Sequence, residues 1–206
     1  MEDQTKLLSV YTVGHSTLSL ERFIELLNLN GVTAIADVRS APFSRLAPQF
    51  NRNALSGVLR KCGIAYVFVG KELGARSDDA SCYEGGKVRF ARLAKTSIFN
   101  AGLDRILTGA VKYRVALMCS EKEPLDCHRT LLVSRALEQR GVNMIHILSD
   151  GRTESHSKTM FRLLDLVGLP QVDIFGMFPS HDHMVTMACE LQEEKIAYVD
   201  EALVEK

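Results

Sequence analysis

Residues 114–129 read Arg-Val-Ala-Leu-Met-Cys-Ser-Glu-Lys-Glu-Pro-Leu-Asp-Cys-His-Arg and hold the densest chemistry in the chain. An apolar run ends at Cys119, a charged loop follows, and a helical pattern opens at Asp126. A strand-to-helix corner of this kind is where α/β proteins bind ligands. Cys119 can serve as nucleophile, metal ligand or core thiol. Cys127 is expected inside the first turn of the helix opened by Asp126, where the helix N-terminus favours a thiolate. Asp126, Glu121 and Glu123 oppose that by charge repulsion. A metal set of Cys119, Cys127 and His128, with His15 as a fourth donor, lacks a CxxC pair. Consecutive residues of one helix also point about 100° apart, so the sequence assigns no metal. Arg129 falls in the same first turn, where backbone N–H groups attract anions. It either joins Arg39, Arg45 and Arg76 in an anion clamp or braces the corner against Asp126, Glu121 or Asp37.

The elements that must position these groups follow from apolar periodicity. Strands are expected at 7–13, 32–38, 64–69, 115–118 and 142–148. Helices are expected at 18–30, 53–62, 84–112 in two parts broken near Thr96-Ser97, 126–140 and 155–167. Ser19 is a candidate cap and Gly31 a stop for the first helix. Strands apolar on both faces and alternating with helices imply a parallel sheet covered on both sides. Right-handed crossovers then give a three-layer, doubly wound, Rossmann-like α/β fold of about five mostly parallel strands. The whole of 1–206 is expected as one domain, with 171–206 an extension docked on its edge. A short strand or turn is expected at 172–178 and a helix at 181–194. The connections 39–52 and 71–86 are long enough to be lids or binding loops.

All the strand ends of a parallel sheet share one edge. His15 and Ser16 follow strand one, Asp37 and Arg39 strand two, Glu72 and Arg76 strand three, Cys119 and Glu121 strand four, and Asp150 strand five. Any one of these is accounted for by a strand emerging into solvent. Together, these residue types describe a crevice with acids, imidazole, thiols and guanidinium groups. His146 alternates with Ile145 and Ile147 and reads as a packed histidine. His181-Asp-His183 reads as solvated surface.

Bulk properties narrow the classes. The 206 residues are 46% hydrophobic and 24% charged, as in ordinary globular domains. No apolar run approaches the ~20 residues of a membrane span, and the acidic, polar N-terminus does not read as a secretory signal. A cytoplasmic protein with no membrane partner is expected. Lys plus Arg and Asp plus Glu number 25 each, which argues against strong nonspecific nucleic-acid binding. Five scattered cysteines point to reduced thiols. Dinucleotide, P-loop, nucleophile-elbow and HExxH motifs are absent, so no cofactor is expected. Leu125 stands where a phosphatase-type thiol loop needs arginine.

An ordered set of short motifs runs through the chain: Thr12-Val-Gly-His-Ser16, Asp37-Val-Arg-Ser40 with Pro42 and Ser44, Leu73-Gly-Ala-Arg76, Leu117-Met-Cys-Ser-Glu121 and Cys127-His-Arg129. The set resembles the domain-of-unknown-function family 488, a group of mainly prokaryotic proteins, from about Tyr11 to Tyr198. Ala75 departs from it where a second glycine is more usual. The resemblance implies the α/β fold and marks His15, Asp37, Arg39, Cys119, Glu121, Cys127, His128 and Arg129. It supplies no substrate.

The residues themselves favour an enzyme of hydrolase or glycosyl-transfer type, acting on a small anionic, nucleotide-like or nucleic-acid-derived ligand. His15, Asp37, Glu121 and Cys119 are the candidate catalytic groups. Ser16, Arg39, Arg76, Cys127, His128 and Arg129 are the candidate binding groups. A non-catalytic binding module and a thiol or metal protein using Cys119 and Cys127 are the alternatives.

Overall fold

The computed structural model describes residues 7–172, 176–178 and 180–204. In chain order these form strand β1 (Ser9–Gly14), helix α1 (Leu20–Leu29), β2 (Ala34–Asp37), α2 (Arg52–Lys61), β3 (Ala65–Phe68) and the short α3 (Gly70–Leu73). A small hairpin, β4 (Tyr83–Glu84) and β5 (Lys87–Val88), precedes α4 (Phe90–Leu93) and α5 (Ser97–Lys112). Then come β6 (Val115–Cys119), a π-helical stretch Arg129–Ser134 running into α6 (Arg135–Glu138), β7 (Asn143–Ile147), β8 (Thr153–Ser155), α7 (His156–Val167) and α8 (His181–Ile196).

The six-stranded sheet has the order β3-β2-β6-β1-β7-β8. Its first five strands are parallel and β8 is antiparallel to β7. Helices cover both faces, giving the three-layer, Rossmann-like arrangement. Side chains alternate across β6. Val115, Leu117 and Cys119 join the core under α5, α7 and α8, whereas Ala116 and Met118 join the core under α1 and α2. This two-residue period sends Cys119 to one face of the sheet. Asp37, in step with Ile35, goes to the other.

The helices form where capping and stripe agree. Ser19 accepts from the Arg22 backbone N–H, and α1 buries Phe23, Leu26 and Leu27. Thr96 caps α5 in the same way, at the expected break. Three features differ from the sequence expectations, the first being α3, a single helical turn at the start of the connection expected at 71–86. The segment expected to start a helix at 84 is instead the β4–β5 hairpin, turned by Gly85 and Gly86. Strand β8 has no apolar run in Thr-Glu-Ser to mark it; it is held by pairing with β7 and by buried Glu154, which accepts from Thr159 Oγ1 at 2.9 Å. Residues 173–175, part of the strand or turn expected at 172–178, lie outside the described residues.

The helix expected from Asp126 begins later. Pro124–Asp126 is a single 3-10 turn, and Cys127 is extended (φ −138°, ψ 136°). Helical geometry starts at His128. The first helical N–H groups, from Thr130 and Leu131, bond back to the Cys127 carbonyl. Cys127 therefore occupies the N-cap, outside the helix, rather than its first turn.

Candidate functional site

Three strand ends meet at the carboxyl edge of the sheet. Gly14 of β1 lies beside Cys119 of β6, and Asp37 of β2 beside Met118. The chain beyond β1 runs alongside the chain beyond β6: His15 N–H donates to the Cys119 carbonyl (3.0 Å) and Ser16 N–H to the Ser120 carbonyl (2.8 Å). Ser16 holds a left-handed φ of 43° there. Gly14 permits this approach. A β-carbon on it would lie 1.9 Å from the Glu121 carbonyl oxygen and 3.1 Å from Nη2 of Arg129.

One half of the site is an ion pair. Asp37 is fully buried and Arg39 nearly so. Asp37 Oδ1 accepts from Arg39 N–H (3.1 Å) and Nε (2.9 Å), and Oδ2 accepts from Arg39 Nη2 (2.6 Å) and the Tyr66 hydroxyl (2.6 Å). Burial and the Asp37 carboxylate both push the Tyr66 phenol up. Burial works against the Arg39 charge, yet Asp37 more than restores it. With four donors on two oxygens, Asp37 serves as the brace of Arg39. Nη2 of Arg39 also reaches the Phe50 carbonyl at 2.9 Å.

His15 completes this half. Its Nδ1 lies 2.9 Å from the Ser16 carbonyl, which can only accept, so Nδ1 carries the proton. Its Nε2 then accepts from Nη1 of Arg39 at 3.1 Å. The ring stacks on Phe50, centroids 4.2 Å apart. Burial, with Arg39 adding to it, drives the imidazole down to about 4. Protonation would displace the Arg39 bond. A second buried imidazole, His156, is likewise lowered to about 4 by burial. Both folded values lie below the ordinary histidine range, so their stabilising effect is complete above pH ~6.5 and lost as pH falls towards 4. Unfolding free energies from urea titrations between pH 7 and pH 4 should fall by an amount on the order of 3 kcal/mol per histidine at most. His15→Gln should remove part of that slope, and an unchanged slope would sink this reading.

The other half holds the thiols. Cys127 Sγ lies 3.0 Å from Glu121 Oε2 and accepts the Arg129 backbone N–H at 3.4 Å, as an N-cap side chain does. His128 Nδ1 sits 3.8 Å from Cys119 Sγ and 3.9 Å from Cys127 Sγ. Its Nε2 donates to the Val38 carbonyl at 3.1 Å. Burial opposes ionisation of Cys127, but Cys119, Arg129 and His128 together carry its thiol well below the ordinary range. Burial and the neighbouring Cys127 push the Cys119 thiol well up. Burial, then Cys127, raises the Glu121 carboxyl. Burial disfavours charge on His128, but Cys127 outweighs it and raises the imidazole. The Cys127 thiol and the Glu121 carboxyl are thus shifted in opposite directions across a 3.0 Å contact.

Arg129 lies beneath both halves and is fully buried. Its Nη1 donates to the Glu121 carbonyl (2.7 Å) and Nη2 to the Lys122 carbonyl (3.4 Å). Nε has no hydrogen-bond partner, and no ion pair to Arg129 occurs among the described residues. Of the two readings of Arg129, the brace against Asp126, Glu121 or Asp37 does not form: backbone carbonyls hold the guanidinium instead.

A pocket of about 230 Å³ opens over the thiol half, lined by Arg39, Ser40, Arg76, Cys119, Glu121 and His128, with Ile196 and Tyr198 from the C-terminal segment. That segment is tied down by Val88 N–H to the Tyr198 carbonyl (2.9 Å) and by Gln192 Nε2 to the Leu125 carbonyl (3.2 Å). Arg76 is exposed at the rim, its guanidinium over the Tyr198 ring at 4.3 Å. The backbone approach in its motif falls on Gly74, whose added β-carbon would lie 2.3 Å from Ser40 Oγ, so Ala75 is accommodated.

His15, Asp37, Arg39, Cys119, Glu121, Cys127, His128 and Arg129 are thus brought together, with Arg76 at the rim. Ser16 contributes through its backbone. Arg45 is exposed and does not line the pocket. Glu72 pairs instead with Arg105, and Asp150 with Arg152. His146 is fully buried between Thr12 and His156. Sequence reading missed Tyr66, Phe50 and Tyr198. Tyr66 reaches Asp37 only because β3 pairs with β2 in the observed register, and nothing local signals this.

A doubly wound α/β protein with a thiol- and arginine-lined pocket at the carboxyl ends of its strands is the class these features define. The chain belongs to the domain-of-unknown-function family DUF488, whose profile matches residues 19–136. This span takes in Asp37, Arg39, Arg76 and the 119–129 corner; His15 and the Tyr198 wall lie outside it. No curated protein and no solved structure matches the chain. Among the described residues, no helix is long and apolar enough to cross a membrane.

Proposed function

We propose that the protein is an enzyme of hydrolase or glycosyl-transfer type, acting in the cytoplasm on a small anionic, nucleotide-like or nucleic-acid-derived substrate. One observation carries this reading: Glu121, Cys119 and His128 face the same pocket as Arg39 and Arg76. The reactive groups and the cations converge on one concave surface. The pocket's size suits a phosphate- or sugar-sized group rather than a large cofactor. Arg76, at the rim and without a carboxylate partner among the described residues, is free to take an anion. Arg39 is held rigid below by Asp37 and His15 and presents its remaining N–H.

Glu121 is the general base. A half-buried carboxyl with a raised pKa is suited to removing a proton near neutral pH. Asp37 and His15 hold Arg39 in place. Reduced thiols suit a cytoplasmic setting.

Turnover of nucleosides, nucleoside monophosphates and sugar phosphates, followed by chromatography of products, tests the proposal. Glu121→Gln should slow the reaction by about 10²-fold or more, and Arg76→Ala should mainly raise KM. Saturable AMP binding that Arg76→Ala weakens, with no turnover of any compound, would favour the non-catalytic binding module instead.

A further inference from the structure

We propose that Cys119, Cys127 and His128 form a three-donor site for a thiophilic divalent cation, zinc above all, whose fourth position opens to the pocket beside Glu121. The donor atoms of these three residues and of Glu121 all lie within 4.8 Å of one another. In a tetrahedral zinc site, bonds of about 2.3 Å to sulfur and about 2.0 Å to nitrogen hold such donors roughly 3.5 Å apart. The two sulfur-to-nitrogen separations, 3.8 and 3.9 Å, need only a few tenths of an ångström of adjustment.

The sequence objection to this set does not survive the structure. Cys127 and His128 would diverge if both were helical, but Cys127 is extended and His128 is helical. The break in backbone geometry turns their side chains towards a common point.

Three independent features prepare the site. His128 Nε2 donates to the Val38 carbonyl at 3.1 Å. A carbonyl can only accept, so a neutral ring turns its Nδ1 lone pair towards both sulfurs. Such a second hydrogen bond orients metal-bound histidines generally. The Arg129 backbone N–H points at Cys127 Sγ (3.4 Å), which suits a ligating thiolate. Charge also balances. Two thiolates neutralise a dication, and the buried Arg129 guanidinium, held only by backbone carbonyls, offsets Glu121. Donor softness selects zinc over magnesium or calcium.

The inference deepens the proposed function. Cys119, His128 and Glu121 line the pocket, and Cys127, which does not, is buried. The fourth position is where water would meet the cation. A cation there would acidify a bound water, and the Glu121 carboxylate beside it would accept that water's proton.

The full chain, purified without a metal-binding tag, is stripped with chelator and titrated with Zn²⁺ against a chromophoric competitor. One equivalent should bind. Co²⁺ should give a thiolate charge-transfer band and the intense visible bands of a tetrahedral site. Cys127→Ser and His128→Gln should weaken Zn²⁺ binding at least 100-fold, while Cys62→Ser, at an exposed cysteine, should leave it unchanged. Glu121→Gln should keep stoichiometric metal within about tenfold of the parent affinity. If Cys127→Ser does not fold, the Co²⁺ spectrum of the parent protein still reports thiolate ligation. Substoichiometric Zn²⁺, a Co²⁺ spectrum without thiolate bands, or loss of metal in Glu121→Gln would overturn the three-donor site. Stoichiometric metal with no turnover would remove the enzyme reading and leave the site. Turnover undiminished in metal-free protein would keep the enzyme reading and remove the cation from the reaction.

Discussion

Replacing Asp37 with alanine is expected to destabilise the protein by about 3–5 kcal/mol, the usual effect of removing one partner from a buried ion pair. Arg39 would be left buried, and the Arg39 backbone, its guanidinium and the Tyr66 hydroxyl would together lose four acceptor contacts. The consequence for function is indirect. Arg39 also donates to Nε2 of His15 and lines the pocket, so its release loosens the pocket floor. Asp37→Asn keeps the shape and removes the charge, and should fall between alanine and the parent. Urea unfolding at pH 7 measures both. A change for Asp37→Ala within about 0.5 kcal/mol, typical of an unpaired surface residue, would show that the pair is not closed in solution. Tyr66→Phe, combined with Asp37→Ala in a double-mutant cycle, should show coupling, because the two side chains share one hydrogen bond.

Gly14→Ala is expected to destabilise by at least about 3 kcal/mol, in the range of overpacking that forces backbone movement. The added carbon would fall inside the Glu121 carbonyl, at 1.9 Å from its oxygen and 2.9 Å from its carbon. Neither atom belongs to a flexible side chain. The loop after β6 must lift, and the Arg129 bond to that carbonyl goes with it. Stability and metal binding should therefore fall together. Gly57→Ala is the control. That glycine lies within α2 with nothing near its added carbon, so alanine should stabilise by about 0.5–1 kcal/mol. Equal effects of the two substitutions would refute the account of the strand-end approach.

The α/β architecture was legible in the sequence because its signals are local. Apolar runs, helical stripes, the cap at Ser19 and the break at Thr96-Ser97 depend on neighbours a few residues away. Parallel strands then place His15, Asp37, Arg39, Cys119 and Glu121 on one edge without knowledge of strand order. Local signals failed where long-range pairing decides. Strand β8 exists because β7 offers it an edge, and Tyr66 meets Asp37 because β3 takes one register on β2.

At the corner itself, the sequence determined which groups are present: two thiols, an imidazole, three carboxylates and two guanidinium groups within residues 114–129. Only the tertiary structure decided what they can do together. A shift in helix start from Asp126 to His128 moved Cys127 to the N-cap and turned two diverging side chains into a converging pair. Arg129 was drawn under the backbone of the β6 loop rather than to a carboxylate, because Gly14 lets that loop approach. Residue types are written in the chain. Direction, register and burial arise only when distant segments exclude water from one another.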